Sequence, residues 1–296
     1  MRRSPRQRPD LALSLYLLPS GALLVAVFAI PITQTIWISL HQTSGLSDAK
    51  HWVGLENFRA LAHDHVFWQV LLQTVVWSIA VVGLTTVLAY LIAEALQRPF
   101  RGRRAFRVVL LLPWATSLAL SAVVWRFAMG PRGLLDHSIS LLGLGHVSVA
   151  WLADLPQAAL AVVFVGVWVS VPFTAVMLNA AMRSIPPGLA EAAELDGATA
   201  ISRSLLVTLP LIRRILLVVT LSNFVVVFNS FPIIYVMTGG GPVNKTDILA
   251  TYLYRTGFSG EFDVGTASAI AVVILLLLLG LSVLCARLLI DRTRVG

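Results

Sequence analysis

The sequence holds one cysteine, Cys285, in 296 residues. A lone thiol makes no internal disulfide and no thiolate metal cluster, and within an apolar run it reads as a small filler. Charge is scarce as well. Asp, Glu, Lys and Arg make up 12% of the chain, about half the share usual in a soluble domain. Acids are the scarcer sign, with 14 against 22 basic residues. No Ser-His-Asp constellation and no pair of carboxylates within an apolar run argues for hydrolysis. A phosphate loop is missing too. GGGPVNKT (239–246) comes near one, but Asn244 stands where the second glycine belongs and no predicted strand precedes it. Any nucleotide energy has to come from a partner.

Apolar residues are abundant: they form 57% of the chain, with mean hydropathy +0.85. They come in long blocks, at about 12–40, 68–97, 105–129, 156–181, 210–238 and 264–290. Each reaches the roughly 20 residues that a helix needs to cross a bilayer. Helices are the natural spanning form, because lipid offers backbone groups no partner. The expected fold is an all-α membrane protein with six transmembrane helices, forming a single transmembrane domain over 1–296. The basic start followed by an apolar run resembles a signal peptide, but the run is too long and lacks a small-residue cleavage site, so an uncleaved first span is expected.

The net charge of +8 does not point to nucleic acid, because the cations sort by loop. Sixteen fall on one side, from Arg2 to Arg8, in the 98–107 turn, between blocks four and five, and from Arg287 to Arg294. Six fall on the other: Lys50, Arg59, Arg126, Arg132, Lys245 and Arg255. The positive-inside rule then predicts both ends in the cytoplasm, including a tail over 1–11. The basic residues serve topology and lipid headgroups. All six histidines (His41, His51, His63, His65, His137 and His146) fall in predicted outside loops. In His63-Asp64-His65, two side chains converge on a metal only in an extended strand, so a solvated loop is preferred. Glu94 and Arg98, four apart, are expected to form a local ion pair.

The predicted cytoplasmic segment 182–209 carries Glu191, Glu194 and Asp196 within six positions. Ser184 is placed to cap a helix, with Pro186 and Pro187 in its first turn. Gly197 can take the left-handed conformation that stops it. Thr199 can cap a second short helix, 200–208, which Pro210 ends. The product is a helix, a bend and a helix. Helices that lie on membranes usually show basic faces, so an acidic face suits a protein partner better.

These residues match a family pattern: Glu191-Ala192-Ala193, then Gly197, then Val207 and Leu209-Pro210. The chain resembles the permease subunits of bacterial ABC importers, in the branch that takes up maltose, glycerophosphate and trehalose. VGLENF (53–58), LLLPWATSLALSAVVWRF (110–127) and TGGGPVNKTDILATYLYRTGFS (238–259) extend the resemblance over nearly the whole chain. It implies a second permease subunit, two ATPase subunits that carry ATP and Mg, and an extracytoplasmic solute-binding protein. It implies a place in the bacterial inner membrane and import of a sugar-like solute by alternating access. The chain itself would be no enzyme and would bind no cofactor. The loop becomes a coupling helix, with Glu191, Ala192, Ala193, Glu194, Asp196 and Gly197 seated on an ATPase. The sequence departs from the pattern at Leu205 and Leu206, where aromatics are frequent, and at Arg213 and Arg214, where a proline is.

Polar residues within the spans have two readings. Ser170, Asn179, Ser222, Asn223, Asn229 and Ser230, near Trp168 and Phe173, suit a sugar, whose hydroxyls bond amides and whose C–H faces cover aromatic rings. Interhelical hydrogen bonding serves equally well. The resemblance aligns Ser170, Phe173, Asn223, Val227 and Ser230 with sugar-contacting positions, and Asn229 is adjacent. Val227 stands where a maltose-type relative has a polar group. The span centres hold no cation, which leans towards a neutral sugar. The rival to an importer is a secondary transporter driven by an ion gradient. It would want buried acids, and the six blocks hold only Glu94.

Overall fold

In the computed structural model, residues 11–43, 50–131, 133–143, 150–259 and 262–291 are described. The tail cations Arg2 to Arg8, together with Arg132, His146, Arg292 and Arg294, lie outside them. Among the described residues, five helices are long and apolar enough to cross a membrane, and six are if one sharply bent pair counts as a single span. The Cα packing divides the chain into two units, 1–63 with 253–275, and 64–252 with 276–296.

In the first unit, α1 (Leu11–Leu24) and α2 (Ile30–Ser39) run together through a π-helical turn, Val25–Ala29. The fold is mostly helical, as expected, and this unit adds a small strand pair. After α2 the chain forms an antiparallel hairpin, β1 (His41–Thr43) with β2 (Lys50–Trp52), followed by α3 (Glu56–His63). The hairpin forms because leaving the helix frees backbone groups that need partners. Asn57 of the VGLENF motif supplies two bonds: its buried Nδ2 donates to Ser39 O at 2.8 Å and His41 O at 3.0 Å. His41, expected in an outside loop, is buried against Trp37, ring centroids 3.8 Å apart.

The second unit opens with α4 (His65–Ala95). Asp64 caps it, accepting from Val66 N at 2.8 Å, and also accepts from Tyr252 Oη at 2.5 Å. The block predicted over 105–129 is not one straight helix. It is α5 (Arg103–Ala115) and α6 (Leu118–Ala128), bent by 99°. Pro113 removes a helical N–H and crowds the preceding turn. Thr116 and Ser117 then run extended, and their hydroxyls close the exposed ends: Thr116 Oγ1 donates to Pro113 O at 2.9 Å, and Ser117 Oγ accepts from Leu120 N at 3.2 Å.

Next come α7 (Leu134–Leu141), α8 (Gln157–Arg183), α9 (Pro187–Leu195), α10 (Ala200–Arg203), α11 (Leu209–Phe228), α12 (Phe231–Met237), α13 (Leu249–Tyr254) and α14 (Val264–Asp291). Cys285 is half-buried in α14. Pro210 does not end a helix as expected. A π-helical turn, Ser204–Thr208, joins α10 to α11, and Leu209 N donates to Ser204 O. That wider turn lets the helix pass a residue with no N–H. The predicted block 210–238 does break, at Asn229 and Ser230, where Pro232 has no N–H to return to Phe228 and its ring crowds that carbonyl.

The core of this unit lies where α4 packs along α8, with α11 and α12 against them. Trp77, Val81, Val162, Val165, Val227, Ile233 and Ile234 are its centre. Trp77 Nε1 donates to Val227 O at 3.1 Å, so the indole satisfies a carbonyl close to the break. Gly166 makes room for that ring. A Cβ there would stand 2.7 Å from the indole and 3.1 Å from Val81 Cγ2.

Filling this space is costly. Gly166→Val should destabilise the chain by about 1–3 kcal/mol, the range for overpacked cores. The check is the temperature at which detergent-solubilised protein loses its monodisperse peak.

Candidate functional site

The acidic segment folds as an elbow. Pro186 precedes α9 with extended backbone, and Pro187 opens it. Ser184 does not cap this helix. Its hydroxyl turns back to Ala181 O at 2.7 Å and closes α8 instead; Pro186, kept out of helical backbone by the proline that follows it, separates the two helices. Gly197 has φ +80°, the left-handed region that glycine enters without a Cβ clash. It sits just past the end of α9, where Asp196 N, Gly197 N and Ala198 N donate to Ala192 O, Glu194 O and Ala193 O. Thr199 Oγ1 then accepts from Ser202 N at 3.3 Å and starts α10.

Glu191, Ala192, Glu194, Asp196 and Gly197 are exposed, and Ala193 is half-buried. Leu195 between them is 90% exposed, Ile201 73% and Leu206 75%. Acids interleaved with bare apolar side chains make a surface that water does not favour and a protein partner can cover. Two features of the elbow escape a reading of the sequence. Arg203 of α10 pairs with Glu194 of α9, an ion pair across the bend. Ser204, at the root of the elbow, is buried and bonded to α4: its hydroxyl donates to Glu94 Oε2 at 2.9 Å and lies 2.7 Å from Tyr90 Oη. Glu94 therefore turns to Ser204 rather than to Arg98. The helix stops at Ala95, so the four-residue spacing no longer puts Glu94 and Arg98 on one face.

The six residues expected near a solute occupy different environments. Phe173 is exposed and stacks on Trp114, centroids 6.1 Å apart. Ser170 is half-buried one turn before it. Asn229 is exposed at the helix break, its Nδ2 donating to Val225 O at 3.3 Å. Val227 and Ser230 are buried, and Ser230 Oγ donates to Val226 O at 3.3 Å. Asn223 is half-buried, and its Nδ2 is a buried donor without a hydrogen-bond partner among the described residues. The other polar residues singled out have structural work. Asn179 Nδ2 donates to Ala93 O at 3.1 Å, joining α8 to α4, and Ser222 Oγ donates to Val218 O. Trp168 packs edge-on against Trp125.

A family described as "Binding-protein-dependent transport system inner membrane component" matches residues 85–295. A probable ABC transporter permease protein of Brucella suis biovar 1 (strain 1330) is 38% identical over 274 residues, 92% of this chain and 94% of the relative. The trehalose/maltose transport system permease protein MalF of Thermococcus litoralis is 33% identical over 264 residues, covering 89% of each chain. Among solved structures, a chain of a bacterial alginate ABC transporter in complex with an alginate pentasaccharide-bound periplasmic protein superposes with TM-score 0.77. It is 23% identical, over 91% of this chain and 92% of that one. That likeness gives the fold.

The two anchors of the elbow should differ in strength. Arg203→Gln breaks a pair whose Glu194 side chain is 60% exposed, and such pairs are worth about 0–1 kcal/mol. Ser204→Ala leaves Glu94 and Tyr90 without their shared partner, at about 1–3 kcal/mol. Thermal inactivation of the two variants in detergent ranks them; equal midpoints would contradict the assignment.

Proposed function

Since the chain belongs to the binding-protein-dependent inner membrane components, a multi-pass membrane family of ABC transport permeases, we propose that it moves a sugar or sugar-like solute inward by alternating access. A second permease chain completes the pathway. Two ATPase subunits hold ATP and Mg, and a solute-binding protein delivers the cargo. The observation that carries this reading is the elbow: exposed Glu191 and Asp196 beside bare Leu195.

The mechanism follows from how the elbow is mounted. Glu191 makes the main charged contact with basic groups on an ATPase, while Ala192 and Ala193 allow close approach. Glu194 shares its charge with Arg203 and so helps to hold the bend. Gly197 sets the angle between α9 and α10. Beyond the bend, α10, the π-helical turn and α11 run as one helix, Ala200–Phe228. A displacement of the elbow by closing ATPases is therefore passed straight to the helix that carries Asn223 and ends at Asn229. An ion-gradient carrier would place carboxylates along that route, and the sequence there has none.

Asn223 is the best candidate for a solute contact. A buried amide donor left unbonded costs about 1–3 kcal/mol, and a solute hydroxyl or the second permease would recover it. Ser170, Phe173 and Asn229 are accessible enough to join it. Val227 and Ser230 would need the helix break to shift before a solute reached them. The trehalose/maltose relative and the alginate transporter both support a saccharide cargo. The alginate transporter's periplasmic protein supports delivery by a binding protein.

The test is purification of the tagged chain from native membranes in mild detergent. A second six-span chain, an ATPase and stimulated ATP hydrolysis are expected; a chain that elutes alone would overturn the reading. Glu191→Lys should lower ATPase recovery at least about tenfold, a loss of roughly 1.4 kcal/mol in docking. Asn223→Ala should leave assembly intact and reduce uptake; if assembly collapses instead, Asn223 is a packing residue.

A further inference from the structure

A cavity of about 680 Å³ lies in the second unit beside the N-terminal end of α8, the helix whose other end leads to the elbow. Its volume falls within the roughly 300–1,000 Å³ of small-molecule sites. Val123, Phe127, Met129, Trp151 and Met237 give it a largely apolar wall, and Arg126 is its one charged lining residue. Arg126 sits in the last turn of α6 and donates from Nη1 to Val236 O at 2.9 Å. That bond aims the guanidinium without neutralising it, because a carbonyl carries no net charge. Arg126 forms no ion pair among the described residues. A guanidinium stays charged at any physiological pH, and its planar fork matches a carboxylate or phosphate. Across the cavity, Trp151 is fixed by its own bond, Nε1 donating to Asp136 Oδ1 at 2.9 Å. This locks an indole in the wall; Asp136 keeps its charge but does not line the cavity. An anchored cation and a fixed aromatic on an apolar wall are the two elements that an acidic sugar needs: a partner for its charge and a surface for its C–H face.

We propose that this cavity is an entry subsite for the acidic group of a sugar that carries a carboxylate or phosphate. The inference rests on the transport reading above and extends it to a class of cargo. It also accounts for the absence of cations in the span centres: the charge is recognised at the mouth, where Arg126 remains hydrated, and not at lipid depth, where a cation is expensive.

The experiment uses the complete transporter in lipid nanodiscs and a matched pair of probes. These are cellobiose and the same disaccharide with its terminal hydroxymethyl oxidised to a carboxylate. Titrations are followed by isothermal calorimetry. The acid should bind at least about tenfold more tightly than the neutral sugar, the scale of one charge-assisted bidentate contact. Arg126→Gln should remove that preference, and Arg126→Lys should keep part of it. Val123→Asp should remove it too, by placing a carboxylate in the cavity while leaving the bond to Val236 in place. Equal affinities, no binding of either probe, or a preference that survives both Arg126→Gln and Val123→Asp would overturn the proposal. So would a loss in Arg126→Gln confined to binding-protein docking, which would make the occupant an acidic side chain. If these outcomes appear in a complex that still hydrolyses ATP and imports a neutral solute, only the cavity assignment falls. If no solute enters with ATP at all, the transport reading falls with it.

Discussion

Lipid offers no hydrogen bonds, and the rest of this structure follows from that constraint. Every backbone group at membrane depth must find its partner inside the protein. Long helices solve the problem over most of the chain, and side chains solve it wherever a helix stops. Thr116 and Ser117 close the bend between α5 and α6. The Trp77 indole reaches Val227 O just before α11 breaks. Asn57 satisfies the carbonyls of Ser39 and His41 as the chain leaves α2. The π-helical turn Ser204–Thr208 does the same for the backbone around Pro210. The breaks thus fall where a polar side chain or a re-registered carbonyl makes them affordable, and a helix that breaks is one that can be given two arrangements.

The same economy explains the elbow. On the coupling reading proposed above, a segment that transmits a push has to be rigid along its length and soft at its ends, and its exposed face is left for a partner. Gly197 supplies the angle, the Glu194–Arg203 pair crosses it, and Ser204 ties its root to Glu94 and Tyr90 on α4. The acids and Leu195 remain exposed. An isolated loop of this composition would gain more from folding its leucines inward. Their exposure makes sense for a surface that is covered in the assembly.

The long spans were legible in the sequence because hydropathy over some twenty residues is a large summed signal. The boundaries of α4, α8 and α14 agree closely with the apolar blocks. Gly197 and Thr199 were legible because one φ requirement and one cap each have a short list of suitable residues. What escaped was decided by few atoms. The block 105–129 read as a single span, and its bend depends on Pro113 and the two hydroxyls after it. Glu94 was paired with Arg98 by spacing, yet the helix ends between them and a serine 110 positions away takes the bond. The small strand pair was hidden because three residues on each side give no periodicity. Among the solute candidates, residue type alone did not separate Val227 and Ser230, which are buried, from Phe173 and Asn229, which are exposed.

The central claim is that the energy for transport enters through the acidic elbow from ATP bound elsewhere. The most direct measurement is uptake into proteoliposomes that hold the purified complex and its binding protein, with ATP inside or absent, and with ion gradients imposed or collapsed by ionophores. The account predicts uptake that needs internal ATP and persists when every gradient is collapsed. Uptake driven by an ion gradient without ATP would contradict it.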